Sequence, residues 1–489
     1  MQIMKDGLEY TLGLFERYGG VVKVYGVLGV EQLFLHDPLA LQHILVKDQD
    51  AFEETDMFIE TNKLLFGEGL IATLGEQHKK QRRMLNPVFS LANLRRVLPR
   101  IQPIANEVVE RLRDTLPKDG GPREIDLLPW IKKATIEYVA RGIIGVSLDS
   151  LEPTEASEYT NAICSVSQVA MRVVFIRPLI PWVVRNISLY LRNKLVDWLP
   201  LPALRELRCL SEVMEKSSRE AYLAKKAEVN QSGGSDRSYG DLMSIMLRAN
   251  ASSLEKSQLT ETELIGQINT FVLAGQETST STLGRLLHVL AREQDAQKRL
   301  RSEVRDAKTR HALACGMEAS EWESVSLPYD ILTGLPYLDA VVRETLRLHP
   351  PTSIMNRVYV LVNHCSSRSL LTAPSQLYSA TKDSVLPLQY PICSATGEQV
   401  STVYVPKGTN VMISILGANR DKHVWGQDAD EWRPERWLTA SYEGINATSP
   451  GARIVSEFGE ESVASSVDEQ GSSNKDRADI RYPGVFGSM

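Results

Sequence analysis

The sequence predicts a mainly α protein with a small β lobe. Between residues 76 and 345 the apolar side chains recur mostly at helical spacing. Short β-like runs lie outside that region, at 21–25 and 32–35 near the start and at 400–405 and 410–415 later in the chain. The chain has 489 residues, 43% of them hydrophobic and 24% charged, which is an ordinary globular composition.

The elements outside the helical middle form two groups. The two early strands are separated by glycine and followed by a helical pattern from Pro38 to Val46, which together predict a small sheet-bearing lobe. The two later runs are joined by a Pro406-Lys407-Gly408 turn, which predicts a hairpin. Residues 444–476 are rich in Gly, Ser, Glu and Asp, and we expect a flexible loop there because they are too polar to bury a core.

Charge, cysteine content and hydropathy argue against nucleic-acid binding, a disulfide or zinc framework, and a membrane span. The 55 basic and 61 acidic residues give a net charge of -6, so there is no basic field to attract nucleic acid, and we expect no nucleic-acid partner. The five cysteines are an odd number without a C-x-x-C pair, which favours scattered reduced thiols over a disulfide framework or zinc site. No uncharged stretch of about 18 apolar residues occurs, so we expect no membrane span.

The segment from Gln168 to Val184 comes closest to a membrane segment. It is apolar and contains Trp182, but Arg172, Arg177 and two prolines interrupt it, so it cannot form a single spanning helix. Two interpretations remain open. The segment can dip into one leaflet as an interfacial loop, or it can pack in the core.

A long apolar helix is predicted from 262 to about 293, and its centre breaks the apolar pattern. There Ala274 and Gly275 are small, while Glu277 and Thr278 form an acid-alcohol pair. A helical glycine costs about 1 kcal/mol against alanine, and a buried carboxylate is costly unless paired. Both costs at one point indicate a site. Alternatively, Thr278 and Ser279 bond back to carbonyls one turn earlier and Glu277 faces water.

A second charged pattern closes a helix that ends at two prolines. Glu344 and Arg347 are three residues apart and therefore share one helix face. By themselves they are typical of a solvated surface pair. Arg436, within Trp-Arg-Pro-Glu-Arg-Trp at 432–437, adds a third charged partner and favours a network.

These motifs occur in one order: Ala-Gly-x-Glu-Thr in a long helix, then Glu-x-x-Arg, then Arg-Pro-Glu-Arg-Trp. In that order the chain resembles the cytochrome P450 family. The resemblance covers nearly the whole chain and implies the P450 fold. It assigns Glu344, Arg347 and Arg436 to the family's buried structural triad.

The resemblance also implies a haem cofactor. His78 and Arg82, at i and i+4 on one helix face, match the family positions that donate to a haem propionate, and Arg357 matches an arginine that reaches a propionate from a later strand. Arginine suits a carboxylate through its fixed fork of donors. For His78 and Arg82 the alternative is an exposed basic face, since three neighbouring residues are also basic.

The implied activity is mono-oxygenation by a haem-thiolate enzyme, which inserts one oxygen atom from O2 into a hydrophobic organic substrate. By resemblance, Thr278 backed by Glu277 is the proton relay, while Ala274 and Gly275 leave room for oxygen. Residues 382–388 resemble fungal microsomal members, which implies an NADPH-cytochrome P450 reductase as partner, the cytosolic face of the endoplasmic reticulum as location, and contact with a membrane surface.

The chain departs from the family pattern in two places. It ends before the family motif Phe-x-x-Gly-x-Arg-x-Cys-x-Gly, and none of its five cysteines has that context. We therefore expect 1–489 to be one incomplete P450 domain, truncated before the haem-ligand loop and last helix, with no metal ligand and no thiolate-type Soret band. In addition, 359–379 has no counterpart in the family pattern. It is either an unspliced intron or a surface loop insertion.

Two other functions remain open. The chain can be a non-catalytic remnant or pseudo-enzyme unable to ligate haem iron, or a haem-thiolate isomerase or dehydratase, against which the Glu277-Thr278 pair argues. The sequence does not identify the substrate. The candidate pocket walls are mostly apolar and favour a hydrophobic substrate: Phe58, Ile59, 175–182, Phe271, Val272 and 352–354.

Overall fold

The computed structural model describes residues 2–26, 29–117, 121, 123–148, 151, 157–231, 241–252, 258–360, 384–394 and 396–438. The chain divides into two compact units, one formed by 1–55 with 343–489 and the other by 56–342. The predicted flexible loop at 444–476 lies outside the described residues. Of the predicted insertion at 359–379, only Tyr359 and Val360 lie within them.

Helices account for most of the described chain. Their bounds are α1 Gln2–Tyr18, α2 Pro38–Gln42, α3 Asp56–Phe66, α4 Gly75–Leu85, α5 Leu91–Asp114, α6 Leu128–Glu137, α7 Glu158–Arg172, α8 Ile180–Asn186, α9 Leu189–Trp198, α10 Pro202–Gln231, α11 Leu242–Ser252, α12 Glu261–Arg292, α13 Gln294–Ala314, α14 Tyr329–Thr333, α15 Pro336–Leu348, α16 Ile415–Ala418 and α17 Lys422–Trp425. The strands are β1 Val21–Tyr25, β2 Glu31–Leu35, β3 Phe52–Glu53, β4 Ile354–Tyr359, β5 Ser384–Cys393, β6 Gln399–Val405 and β7 Asn410–Ser414. The predicted fold class, mainly α with a small β lobe, is confirmed.

The first unit holds the sheets. Five strands pair in the order β1-β2-β7-β4-β3, with β2 and β7 parallel and the other neighbours antiparallel, while β5 and β6 form a separate antiparallel ribbon. Alternate side chains of the five-stranded sheet pack with the buried face of α2 and the turn after it. This core includes Leu35, Ile44, Val411 and Ile413, each exposed by 1% or less.

The predicted hairpin of 400–405 with 410–415 is wrong, although both strands exist. In the described chain β6 pairs with β5, whereas β7 lies between β2 and β4. The burial patterns explain the difference. Most of β7 is buried, so it needs a partner on each side, while β6 is largely exposed and suits a two-stranded ribbon. The turn at Gly408, with φ +82°, sends the chain from one sheet to the other.

The second unit is helical and is built around α12. Ile268 and Val272 of this helix are fully buried against side chains of α7 and α10, including Val166 and Met214. The helix begins with a capping box in which Thr260 accepts from the Glu263 N–H and Glu263 accepts from the Thr260 N–H. Its bounds, Glu261–Arg292, confirm the predicted long helix at 262–293.

Within the described ranges, no single helix is long and apolar enough to cross a membrane. One bent pair, Glu158–Arg172 with Val174–Asn186 at 79°, passes the same test of length and composition when taken together.

Candidate active site

The centre of α12 places Thr278 and Glu277 in different surroundings. The half-buried Thr278 donates its hydroxyl proton to the carbonyl oxygen of Ala274, at 2.6 Å. Glu277 is exposed and accepts a hydrogen bond from the Ser167 hydroxyl, at 3.0 Å. This is the arrangement of the alternative interpretation, a back-bonded threonine beside a solvated acid. It still leaves the two lone pairs of the Thr278 oxygen able to accept a proton or a water hydrogen bond.

Gly275 allows a close approach between α12 and a neighbouring turn. A Cβ added at this position would lie 2.5 Å from Cγ2 of Val139, well inside van der Waals contact. Val139 belongs to a π-helical turn, Tyr138–Ile144, that follows α6. One turn further along α12, Thr280 and Thr135 of α6 share a buried hydroxyl-hydroxyl bond at 2.8 Å. The absence of a side chain at Gly275 therefore lets α12 approach these neighbouring turns closely.

His78, Arg82 and also Lys80 lie half-buried on α4, whereas Lys79 and Arg83 are exposed. The ring Nδ1 of His78 is 3.2 Å from the carbonyl oxygen of Leu70. Because a carbonyl only accepts, Nδ1 must carry the proton. Burial lowers the pKa of His78, and the charge of Arg82 lowers this pKa further. The two residues are thus set apart from the exposed basic residues of the same helix.

Arg357 lies on β4 in the first unit and is only 8% exposed. Its guanidinium forms an ion pair with Glu54 and donates to the carbonyl of Asn356 at 3.0 Å. Burial raises the pKa of Glu54, and the attraction of Arg357 offsets only part of that rise. Arg357 therefore already binds a carboxylate, the chemical group that a haem propionate would present. Sequence reasoning missed Glu54 because no motif marks it.

The predicted triad of Glu344, Arg347 and Arg436 is brought together in the first unit. Glu344 is fully buried, and Arg347 donates to both of its carboxylate oxygens, at 2.8 Å each. Arg436 adds a bond from Nε at 2.9 Å. The surface-pair alternative is thereby excluded. Two donors outside the predicted triad complete the carboxylate's shell, the Arg433 N–H at 2.8 Å and the Trp437 indole at 2.9 Å.

Arg347 extends this network to backbone groups of the chain after β7. Arg347 donates to the backbone carbonyls of Asn419, Ala429 and Glu431, at 2.7, 2.6 and 3.0 Å. Its guanidinium also lies 5.0 Å from the ring centroid of Trp425. Because these acceptors are backbone atoms of an irregular segment, Arg347 supplies hydrogen bonds that strands and helices would otherwise provide. Arg347 thereby joins α15 to this segment by hydrogen bonds.

Each unit by itself offers donors that suit a carboxylate. The second unit has an imidazole and a guanidinium on α4, and the first unit has a buried guanidinium on β4 that binds the carboxylate of Glu54. The described cysteines are Cys164 on α7, Cys209 on α10, Cys315 at the end of α13 and Cys393 in β5. Among the described residues, no group of three or more His, Cys, Asp or Glu side chains could hold a metal ion.

The candidate pocket walls differ in accessibility. Val272 is fully buried in the core, whereas Phe271 is partly exposed and stacks on Phe89, with ring centroids 5.9 Å apart. Phe175 and Trp182 are about three-fifths exposed, at 60% and 61%. These two side chains are therefore not packed in the core.

Comparisons with known proteins converge on one family. A family model for cytochrome P450 matches residues 5–361 and 384–451. Cytochrome P450 monooxygenase 91 of Postia placenta is 35% identical over 458 residues, which cover 91% of this chain and 77% of that protein. The ganoderic acid synthetase of Ganoderma lucidum is 33% identical over 431 residues, 86% of this chain and 72% of that protein.

A solved structure shares the architecture. Retinoic acid-bound cyanobacterial CYP120A1 matches with a TM-score of 0.60 at 20% identity, covering 93% of this chain and 82% of that one. At this identity the similarity concerns the fold alone.

Proposed function

Since this chain belongs to the cytochrome P450 family, we propose that it serves as a haem-dependent mono-oxygenase that inserts one oxygen atom from O2 into a hydrophobic organic substrate. Electrons would come from an NADPH-dependent reductase, by likeness to fungal members. The centre of α12 carries the proposal, because its hydroxyl and carboxylate follow directly on the part of the helix that is packed in the core.

Glu277 and Thr278 of α12 would have different parts in proton transfer. Glu277 is open to water and can exchange protons with solvent, while Ser167 holds its carboxylate in place at 3.0 Å. Thr278 follows directly in the chain and keeps its oxygen lone pairs free to accept a hydrogen bond. To donate toward a bound substrate, the Thr278 hydroxyl must release the Ala274 carbonyl. A shift of one hydrogen bond thus separates the resting from the donating orientation.

Haem, when bound, supplies the activation of dioxygen. On α4, His78 and Arg82 would donate to a propionate. Arg357 would do the same from β4, exchanging the carboxylate of Glu54 for that of the cofactor. The partly exposed Phe271, stacked on Phe89, supports an apolar substrate.

The test uses the expressed chain with haemin, a P450 reductase and NADPH, and a panel of fatty acids, terpenes and steroids. We expect Thr278→Ala to lower product formed per NADPH by about tenfold or more, because a positioned proton donor contributes at least that much. Thr282→Ala is the matched control, since Thr282 bonds to the Thr278 carbonyl in the same way at 2.9 Å. Equal effects of the two substitutions would contradict the role of Thr278.

A parent chain that shows no NADPH-dependent oxygenation under these conditions would contradict the mono-oxygenase proposal. It would support the second candidate, a non-catalytic pseudo-enzyme, which is favoured by one observation: none of the five cysteines lies in the family's iron-ligand motif.

We also propose that the chain contacts an anionic membrane through the surface at 171–198. Large apolar side chains of this surface are exposed by half or more: Met171, Phe175, Leu179, Trp182, Leu189, Tyr190, Leu191 and Trp198. Arginines lie among them, at 172, 177, 185 and 192. Apolar side chains flanked by cations suit the headgroup boundary of an anionic bilayer better than a neutral one.

Vesicle co-sedimentation tests this contact. We expect the chain to bind vesicles that contain phosphatidylserine more tightly than pure phosphatidylcholine vesicles, and Phe175→Ser with Trp182→Ser to abolish the binding. Leu313→Ser on α13 is the control, since Leu313 is similarly exposed at 56%. Binding that survives the double substitution, or that ignores lipid charge, would refute the proposal.

A further inference from the structure

Four side chains join α4 to the beginning of α12 in the second unit. Gln81 of α4 is fully buried, and so is Gln267 of α12, each exposed by 0%. Glu263, one turn before Gln267, is 3% exposed. The exposed Gln77, one turn before Gln81, completes the set by donating to the buried Glu263 at 2.8 Å. Buried polar groups of this kind are stable only when their hydrogen bonds are satisfied.

The bonds form a chain with one direction. The Leu70 N–H donates to Oε1 of Gln267 at 3.1 Å, so the Gln267 amide nitrogen must face Gln81, and it donates to Oε1 of Gln81 at 2.8 Å. The Gln81 nitrogen then donates to Glu263 at 3.1 Å and to the Glu68 carbonyl at 3.0 Å. Because a backbone N–H only donates, the first bond fixes the orientation of every amide that follows.

The direction requires a carboxylate at its end. One oxygen of Glu263 accepts from Gln77 and Gln81, and the other accepts from the Thr260 N–H at 2.7 Å. An amide has only one acceptor oxygen, so glutamine at position 263 would turn an NH2 group toward one of these sets of donors. Burial by itself raises the pKa of Glu263, but these donors outweigh it and lower the pKa, which keeps the residue charged.

This chain of bonds lies beside the two residues expected to hold the cofactor. Gln77 and His78 are adjacent on α4, and so are Gln81 and Arg82, so the bonded face and the His78-Arg82 face are about 100° apart around the helix. A rotation of α4 about its axis would break the bonds of one face and redirect the other. Leu70 couples them as well, because its N–H bonds Gln267 while its carbonyl bonds His78.

We propose that Glu263 is a positioning residue, whose carboxylate ends a directional hydrogen-bond chain that fixes the rotation of α4 and thereby the directions of His78 and Arg82. Its consequence for haem rests on the proposed function. The lock itself does not, since all of its bonds lie within the second unit.

A reversal of the chain provides the test. Glu263→Gln would leave two donors face to face, and Gln267→Glu would leave two acceptors face to face. In the double variant the order can reverse, because the new carboxylate on α12 accepts from the Leu70 N–H and from Gln81. The Gln81 oxygen then accepts from the amide introduced by Glu263→Gln, and the oxygen of that amide accepts from the Thr260 N–H. Gln77 must also turn, so that its oxygen accepts from the same amide instead of its nitrogen donating to a carboxylate. The Glu68 carbonyl loses its donor and faces the Gln81 oxygen, so we expect the recovery to be incomplete.

The control for these variants is Glu261→Gln, which removes a charge from the same helical turn. Glu261 pairs with Arg219 at 3.0 Å and makes no bond to α4. Any general effect of a lost negative charge near the beginning of α12 should therefore appear in this variant, while the bonds between the two helices stay intact.

Backbone amide exchange over 75–85 in the full chain is the first measurement. We expect each single variant to accelerate exchange at least tenfold, the double variant to recover most of that loss, and the control to match the parent. Additive effects in the double variant, or parent-like exchange in Glu263→Gln, would overturn the lock.

Haemin affinity of the same four variants and the parent is the second measurement. We expect it to follow the exchange rates, with single variants weaker than the double variant. Affinity unchanged where exchange is accelerated would overturn the claim that the lock directs His78 and Arg82. A parent chain that binds no haemin would count against the proposed function, while the exchange data would still decide the lock.

Discussion

Arg347 donates from two of its nitrogens to the two carboxylate oxygens of Glu344, at 2.8 Å each, and both residues lie on α15 one turn apart. The same guanidinium continues to the carbonyls of Asn419 and Ala429. A local helix pair thus becomes a support for a segment that lies more than seventy positions later in the chain. The buried charges are tolerated because each has several partners.

Glu344→Gln should lower the free energy of unfolding by about 3–5 kcal/mol, which is the usual cost of removing one partner from a buried ion pair. The substitution keeps the shape of the side chain but leaves Arg347 and Arg436 without an anion. Urea unfolding followed by tryptophan fluorescence measures the change.

Glu431→Gln is the matched control for that substitution. Glu431 is exposed and takes part in the network through its backbone carbonyl, which accepts from Arg347 at 3.0 Å. We expect a change within about 0.5 kcal/mol, as is usual at the surface. Similar losses in the two variants would show that the Glu344 carboxylate is not the centre of the network.

The stability of the chain should depend on pH through Glu344. Burial by itself raises the pKa of Glu344, but Arg347, the Arg433 N–H and Trp437 outweigh burial and lower the pKa. The unfolded chain therefore binds the proton first. The stabilisation from this carboxylate should be complete above its ordinary pKa of about 4.3 and should be lost as the pH falls below that value.

The measurement is urea unfolding of the parent and Glu344→Gln across the acid range. We expect the difference between them to shrink as the pH falls. Trp437→Phe removes one donor to the carboxylate, so it should raise the pKa of Glu344 and move the loss to higher pH. A constant difference across the range would be incompatible with this account.

Local patterns predicted the residues whose partners are near in sequence or whose order forms a motif. The i,i+3 spacing of Glu344 and Arg347 and the later Arg436 were enough to predict the network. Its remaining donors and acceptors were beyond reach, since the Arg433 N–H and the carbonyls of 419 and 429 are available on any residue type. Burial decides which backbone groups need a side chain, and burial follows from tertiary packing.

The same limit explains what was missed around α4 and α12. Gln81, Gln267 and Glu263 belong to no sequence motif, and only the packing of the two helices brings them together. For β6 and β7 the prediction of the elements was correct and the prediction of their pairing was wrong. Periodicity located β6 and β7 correctly, but pairing depends on partners distant in sequence, and the short turn between them suggested a hairpin that does not form.

Gly275→Ala should destabilise the chain by about 1–3 kcal/mol, the usual cost of overpacking a core. The added Cβ would lie 2.5 Å from Cγ2 of Val139. Because the obstacle is a side chain, Val139→Ala should relieve it, so that Gly275→Ala becomes neutral or stabilising in that background. A double-mutant cycle by urea unfolding measures the coupling.

Gly284→Ala in the same helix serves as the control for that cycle. Its Cβ would meet only Cδ1 of Leu128, at an ordinary 3.8 Å. We expect it to stabilise the chain by up to about 1 kcal/mol, the helix preference of alanine over glycine. Equal costs for Gly275→Ala with and without Val139 would exclude the contact as the cause.

Gly266→Ala should be more damaging than Gly275→Ala. The added Cβ would lie 2.6 Å from the backbone nitrogen of Gly69 and 2.9 Å from that of Glu68. Backbone atoms cannot move aside as a side chain can, so the loop before α4 must lift from α12. The displacement would pull the Leu70 N–H from Gln267 and loosen the lock on α4.

We therefore expect Gly266→Ala to cost about 3 kcal/mol or more, at or above the usual upper range for overpacking, and to accelerate amide exchange over 67–85. Gly69→Ala should behave alike, since its Cβ would overlap the Gly266 carbonyl oxygen. The Cβ added at Gly69 would also meet Oγ1 of Thr270. Thr270→Ala should nevertheless not rescue Gly69→Ala, because the clash with the Gly266 carbonyl oxygen remains. Rescue by Thr270→Ala, or a Gly266→Ala chain as stable as Gly284→Ala, would show that the backbones of loop and helix are free to separate without loss.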